Sequence, residues 1–158
     1  MSDALTPEQR LANLGLRLPE VPTPVAAYLP AVRSGPWVYT SGQLPSVGGT
    51  LQATGRLGAE ISPEQGYELA RTCALNAIAA IRSVTGELSR VTRVVKVVGF
   101  VASAPGFTGQ PGVLNGASEL LGEVFGAAGR HARSAVGVAE LPLGAPVEVE
   151  VIVEVSDG

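Results

Sequence analysis

The sequence has 158 residues, a length that suits one domain with a sizeable core. Charged residues make up 16% of the chain, against about a quarter in typical domains, which predicts that part of the surface is buried in an oligomer. The net charge of −3 with eleven scattered Lys and Arg argues against nucleic acid as a partner, and the single cysteine and single histidine exclude a disulfide framework and a structural zinc site.

The first predicted element is a short helix that starts at a capping box on Thr6 and runs to about Asn13. Prolines in residues 18–24 fit neither a helix interior nor a central strand, so an extended linker is predicted there. We therefore expect an N-terminal extension, residues 1–24, ahead of a single domain, residues 25–158. The first residues lack the features of a signal peptide, and no run of about 18 apolar residues follows, so a cytoplasmic protein without a membrane partner is expected.

The next segments alternate short apolar runs with turn residues. Three strands of an antiparallel meander are predicted at Ala26–Arg33, Trp37–Ser41 and Leu51–Thr54. A second capping box, with proline at the first helical position, then predicts a helix over residues 62–85, along which apolar side chains recur at helical spacing.

The second half of the chain is the more regular. Val91–Val101 is β-branched and almost continuously apolar, which predicts a central strand. A helix follows over about residues 111–128. Strict alternation then predicts two strands, Arg133–Glu140 and Val147–Val155. The predicted fold class is α+β, a mixed sheet with two helices packed on one face.

If the last two strands pair as a hairpin, with Glu140 opposite Val147, one face of the pair carries the valines. The other face then carries Arg133, Ala135, Gly137, Ala139, Glu148, Glu150, Ile152 and Glu154. A solvated outer face and an intersubunit surface both explain this pattern, and the low total charge and the small residues favour the second. In this register Arg133 and Glu148 lie about six residues apart, roughly 20 Å, so one small ligand contacts both only at a site built from two chains.

Three polar side chains have a structural as well as a chemical interpretation. Arg133 can bind a carboxylate bidentately, although surface arginines are common. His131 is the group that titrates nearest neutral pH, but a lone histidine beside two arginines is more typical of a solvated loop. Cys73 lies in a predicted helix and is interpreted as a buried structural thiol.

Three segments resemble the RidA (YjgF) family of reactive-intermediate deaminases. They are Gly35–Pro45 (GPWVYTSGQLP), Val91–Val101, and Arg133–Val155, in which an arginine, a strand, Leu-Pro and Val-Glu-Val-Glu follow one another. The likeness covers about residues 25–155. It implies a chorismate-mutase-like fold, a homotrimer whose sheets face inward, and ligand sites in the clefts between subunits.

The resemblance also implies an activity and its residues. Family members hydrolyse 2-imino acids and their enamine tautomers to 2-keto acids and ammonia with no metal or organic cofactor, so the expected partner is a small carboxylate-bearing imine or keto acid. The family's carboxylate-binding arginine matches Arg133, its strand glutamate matches Glu148 and its early tyrosine matches Tyr28. Its helix asparagine matches Asn115, and the glycine beside the ligand matches Gly42. Arg133 would hold the carboxylate, Glu148 would position or deprotonate a water, and Tyr28 would help to orient it.

Two positions depart from the family pattern. Many members carry a cysteine where this chain has Ala135, and often a glutamate where it has Gly137. These departures indicate a divergent branch with a pocket of different size and polarity. They leave a non-catalytic small-molecule-binding or chaperone-like trimer as the alternative function. The ribonuclease activity attached to relatives is disfavoured by the acidic balance of the chain.

Overall fold

The computed structural model describes residues 4–21 and 27–157. Its helices are α1 (Pro7–Asn13), α2 (Pro63–Thr85) and α3 (Gln110–Phe125), and its strands are β1 (Ala31–Ser34), β2 (Trp37–Thr40), β3 (Ser46–Val47), β4 (Thr50–Leu51), β5 (Val91–Ala102), β6 (Ala132–Val138) and β7 (Val147–Val155). The fold is a mixed α+β fold, as predicted. Residues 22–24 of the predicted linker and the predicted strand start at Ala26 lie outside the described residues. Within the described ranges, no helix has the length and hydrophobicity that crossing a membrane requires.

Local sequence signals determine where α1 and α2 begin. The Thr6 hydroxyl accepts a hydrogen bond from the Gln9 amide at 3.1 Å, and the Gln9 side chain accepts one from the Thr6 amide at 2.8 Å. Ser62 and Gln65 form the same reciprocal pair at 3.2 and 2.9 Å. Each box satisfies amide groups that the first helical turn leaves unpaired, and the predicted starts of both helices are confirmed.

The main sheet has five strands in the order β1-β2-β7-β5-β6. The long strand β5 pairs antiparallel with β7 and parallel with β6. Because a parallel pair needs a crossover connection, the chain passes through α3 between β5 and β6. The central position predicted for Val91–Val101 is confirmed.

The predicted hairpin between the last two strands is wrong. β5 lies between β6 and β7, so residues 133–140 do not face residues 147–154 as partners. The prediction assumed that strands adjacent in sequence pair with each other. The apolar strand β5 instead takes both of them as partners, and the eight residues 139–146 lead from the edge of the sheet to its centre.

The predicted meander is also only partly correct. β1 and β2 pair antiparallel, but β1 begins at Ala31, and residues 27–30 are not in a strand. The third run pairs as β4 with β3 in a separate two-stranded sheet. Asn76 of α2 fixes the backbone where the chain enters this small sheet, because its Nδ2 donates to the carbonyls of Leu44 and Ser46 at 3.0 and 2.9 Å.

One face of the main sheet packs under α2 and α3 and forms the core. The side chains of β7 that point to this face are Val147, Val149, Val151 and Val153, and each is at most 1% exposed. The helices themselves approach closely, since a methyl group on Gly116 of α3 would overlap the backbone carbonyl of Tyr67 in α2. The prediction that both helices share one face is therefore confirmed.

We call the opposite side of the sheet the outer face. Register places the following side chains on it: Val32, Trp37, Tyr39, Arg93, Lys96, Val98, Phe100, Ser134, Val136, Glu148, Glu150, Ile152 and Glu154. Val32, Trp37, Tyr39 and Val136 are 46%, 37%, 45% and 42% exposed. Large apolar side chains exposed on a sheet face are typical of an interaction site.

Candidate functional site

Arg133 lies on the edge strand β6, with its side chain on the same face of the sheet as α3. Its Nη1 donates to Oδ1 of Asn115 at 2.9 Å and to Oγ of Ser118 at 3.1 Å. Asn115 and Ser118 are three residues apart on α3, so they present neighbouring side chains to one guanidinium. The structure therefore brings together two of the predicted site residues, Arg133 and Asn115.

The face predicted for Arg133 is wrong. In β6, Arg133, Ala135 and Gly137 pair with residues of β5 that point to the helices, whereas Ser134 and Val136 lie on the outer face. Ala139 follows the end of β6. The error came from the assumed hairpin, because the neighbouring strand decides which alternate set of side chains faces the core.

Glu148 lies on the outer face of β7 beside Gly42. A side chain at position 42 would overlap the Glu148 carboxylate in its present position, so glycine lets the carboxylate lie there. Burial, and secondly the nearby charge of Glu150, raise the pKa of Glu148 above its ordinary value. The structure thus joins a second pair of predicted site residues, Gly42 and Glu148.

Tyr28 is 62% exposed and precedes β1. The amide of Ser41 donates to the carbonyl of Pro30 at 2.8 Å, and its hydroxyl donates to the carbonyl of Leu29. These bonds tie residues 29–30 to the residue that precedes Gly42. Tyr28 directly precedes these residues in the chain, so it lies near the pair formed by Gly42 and Glu148.

Within one chain the two pairs do not meet. Arg133 shares a row with Val97 and Val151. Glu148 lies two strands away from β6 and three residues along β7 from that row, which is about 10 Å across and about 10 Å along the sheet. The two side chains also point to opposite faces. A site that uses both residues therefore requires a second chain.

Sequence reasoning missed three polar residues: Ser118 beside Arg133, and Ser103 and Gln110 beside Gly137. Ser118 carries a detectable signal, because it follows Asn115 by three residues on one predicted helix. Ser103 and Gln110 come together only through the packing of the segment between β5 and α3, where Nε2 of Gln110 donates to Oγ of Ser103 at 3.2 Å. No local pattern predicts that contact.

His131 and Cys73 have structural environments. His131, predicted to be solvated, is half-buried just before β6, and burial lowers the pKa of its imidazole. Cys73 is fully buried, as predicted, and burial raises the pKa of its thiol well above the ordinary value. A thiol that stays protonated is a poor nucleophile.

A surface pocket of about 460 Å³ lies between α1 and the end of α2, with Glu8, Arg82 and Glu87 in its lining. The predicted site residues Arg133 and Glu148 do not line it.

A protein-family model and one curated relative each match most of this chain. Residues 8–155 match the family described as "YjgF/chorismate_mutase-like, putative endoribonuclease". "Protein TCP17" of Trypanosoma cruzi is 48% identical over 150 residues, which cover 93% of this chain and 92% of that protein.

Solved structures agree in fold. A "putative endoribonuclease" from Shewanella oneidensis is 38% identical, with a TM-score of 0.92, and the match covers 96% of this chain and all of that one (100%). TdcF from E. coli, whose structure contains bound serine, is 24% identical with a TM-score of 0.63, over 89% and 94% of the two chains. The latter similarity concerns the fold alone.

Proposed function

The chain belongs to the YjgF/chorismate-mutase-like family, and we propose that it is a hydrolase that converts small 2-imino acids and enamines, of the 2-iminopropanoate or 2-iminobutanoate class, to 2-keto acids and ammonia. The observation that carries this proposal is the guanidinium of Arg133, held from one side by Asn115 and Ser118. The site is completed by Glu148 of a second chain.

Arg133 is arranged to bind a carboxylate. Both of its hydrogen bonds within the chain use Nη1, and a bidentate carboxylate can be bound through Nε and Nη2. The bonds to α3 hold the side chain in one orientation, which reduces the entropy lost when a ligand binds. A substrate held by its carboxylate then has its imine carbon in a defined position.

Glu148 supplies the proton chemistry. It takes a proton from a water molecule as the water oxygen bonds to the electrophilic C=N carbon. The π electrons of the C=N bond move to the nitrogen, which receives that proton from Glu148. Collapse of the resulting carbinolamine moves the hydroxyl proton to the nitrogen by way of Glu148, breaks the C–N bond, forms the C=O bond and releases ammonia. A carboxylate whose pKa is raised is the stronger base.

The outer face supports assembly as a homotrimer. Its exposed apolar side chains, Trp37 and Tyr39 among them, would face water in a single chain, and burying them stabilises an assembly by roughly 25 cal/mol per Å². Glu148 lies on that same face. Association would therefore bring the Glu148 of one chain into the interface, where the edge strand β6 of a neighbour can present Arg133.

RNA cleavage, the activity in the family's description, has less support. The net charge is −3, and β7 carries three glutamates on the outer face, Glu148, Glu150 and Glu154. These three carboxylates outnumber the two cations of that face, Arg93 and Lys96, so it offers no cationic surface to a phosphate backbone. The non-catalytic binding module uses the same pairs of residues, so turnover is the property that separates it from the proposed enzyme.

The test is ammonia release from 2-iminopropanoate generated in situ from alanine by an amino-acid oxidase. We expect the protein to accelerate release over buffer. Arg133→Lys keeps the charge but removes the planar fork, and Glu148→Gln removes the base, so each should lower kcat/KM about 100-fold or more. Glu154→Gln is the matched control, because Glu154 lies on the same face of the same strand, farther from Glu148. Equal rates for the protein and for Arg133→Lys would rule out the proposed activity.

A further inference from the structure

Arg133, Ala135 and Gly137 alternate along β6 on one face of the sheet, and we call them the β6 row. Gly137 lies at the end of this row opposite to Arg133. The two residues are four positions apart on β6 and point to the same face of the sheet, about 13 Å apart at the usual rise of a strand. A methyl group on Gly137 would lie 2.7 Å from Nε2 of Gln110 and 3.1 Å from Oγ of Ser103. The carboxamide of Gln110 therefore fills the space that a side chain at position 137 would take.

Hydrogen bonds determine which atom of Gln110 is left for a ligand. Nε2 donates to the carbonyl of Phe107 at 2.9 Å and to Oγ of Ser103 at 3.2 Å, which uses both amide hydrogens. Ser103 in turn donates to the carbonyl of Val101 at 2.7 Å. Among the side chains and backbone that the structure describes, nothing donates to Oε1 of Gln110. The carboxamide oxygen is thus an oriented acceptor.

The stretch between Arg133 and Gln110 is lined by small and apolar residues. Ala135 lies midway, half-buried, and it pairs with Gly99 of β5. Leu114 of α3 covers Gly99 so closely that a methyl group there would overlap its side chain. The row therefore offers a cation at one end, an apolar surface in the middle and a hydrogen-bond acceptor at the other end.

We propose that Gln110 is a specificity-determining residue for substrates whose side chain is extended, apolar along most of its length and terminated by an O–H or N–H donor. This rests on the proposed function, because it requires that Arg133 bind the carboxylate of the same molecule. The terminal donor bonds to Oε1 of Gln110, and the apolar part of the side chain lies over Ala135. The loss of polar side chains at Ala135 and Gly137 is thereby offset, since Gln110 supplies polarity from α3.

The test measures binding of two stable 2-keto acids that differ by one hydroxyl group, 4-hydroxyphenylpyruvate and phenylpyruvate, by titration calorimetry. The protein should bind the hydroxylated acid about tenfold more tightly. Gln110→Met, of similar length but without the oxygen, should abolish this preference by weakening the hydroxylated acid alone. Gly137→Ala should also reduce it, because the methyl group displaces the carboxamide. Thermal unfolding confirms that each variant is folded, and Gln52→Met, an exposed glutamine elsewhere, is the control.

The outcomes separate this inference from the function on which it rests. Binding of both acids that depends on Arg133, with the same ratio of affinities in the protein and in Gln110→Met, overturns the role of Gln110 and leaves the proposed hydrolase intact. No binding of either acid, while ammonia release from 2-iminopropanoate still depends on Arg133, overturns the role of Gln110 and leaves the hydrolase intact, whereas loss of both removes both proposals. Loss of the preference in Gln110→Met with unchanged binding of phenylpyruvate supports the role of Gln110.

Discussion

The two faces of the five-stranded sheet are built from the same strands, yet only one of them is covered within the chain. On the helix face, Val149 and Val153 are fully buried under α2 and α3, whereas on the outer face Trp37 and Tyr39 remain exposed. The alternation of β7 places valines on the first face and mainly glutamates on the second. One face is therefore completed by folding, and the other is left for association.

The two faces also divide the proposed chemistry. Arg133 with Asn115 belongs to the helix side at the edge of the sheet, and Glu148 with Gly42 belongs to the outer face. A catalytic site that needs both can form only where the edge of one chain meets the outer face of another. The division between the faces therefore links activity to assembly.

The largest effect is expected from a charge on the outer face. Tyr39→Glu places a carboxylate beside Ile152 and should reduce the scattering mass from three chains to one, with kcat/KM for imine hydrolysis lowered about 100-fold or more because the site is incomplete. Circular dichroism should show an unchanged fold. Leu5→Glu, at an exposed leucine outside the sheet, should stay trimeric. An active Tyr39→Glu monomer would contradict the composite site.

The next largest effect is expected on the helix side of the sheet, where α2 and α3 are in contact. Gly116→Ala places a methyl group against the backbone carbonyl of Tyr67 and should lower the free energy of unfolding by about 3 kcal/mol, since backbone must move. Gly122→Ala, on the same helix with open space around it, should raise that free energy by up to about 1 kcal/mol. Urea denaturation measures both. Similar results for the two variants would mean that the helices are not in close contact.

Substitutions at two neighbouring residues of β7 allow the two faces to be compared directly. Val153→Ala removes methyl groups from the core and should lower the free energy of unfolding by about 2 kcal/mol at every protein concentration. Ile152→Ala, on the outer face, should instead weaken association, so its effect on thermal unfolding should depend on protein concentration. A concentration-independent loss in both variants would show that the outer face is not an interface.

The smallest effect concerns pH. Since Glu148 acts as a base only when ionised and its pKa is raised, the acid limb of kcat/KM should lie above the ordinary pKa of a glutamate. Glu150→Gln removes one cause of the raised pKa, so the limb should move to lower pH, whereas Glu154→Gln, farther along β7, should leave it in place. If the acid limb of kcat/KM stays at the same pH in Glu150→Gln, or moves to higher pH, Glu148 is not the base.

The parts of the fold that depend on adjacent residues were predictable, and the parts that depend on distant pairing were not. Capping boxes at Thr6 and Ser62 and the apolar run of β5 act within a few residues, and they predict elements correctly. The strand order depends on which distant strands bury the most surface together, and adjacency in the chain misled the pairing of β6 with β7. That one error also reversed the face of Arg133.

For the candidate site, residue types could be predicted, but contacts could not. Family resemblance marked Arg133, Asn115, Gly42 and Glu148, and the structure joins them as two pairs. The role of Gln110 depends on a loop that folds back over β6, and no spacing in the sequence encodes that contact. The function that the resemblance implies is still a proposal, which the imine assay tests.

The position of β7 has a consequence for how the chain reaches this structure. It is the last of the described strands in sequence order, yet it lies between β2 and β5. Until it is synthesised and inserted, both of those strands present an unpaired edge, and β5 is rich in valine. Such edges are prone to pair with the wrong partner. Pairings so far apart in the chain are also slow to form. The growing polypeptide should therefore be most vulnerable to aggregation before β7 emerges, and a cut that removes β7 should leave an insoluble product.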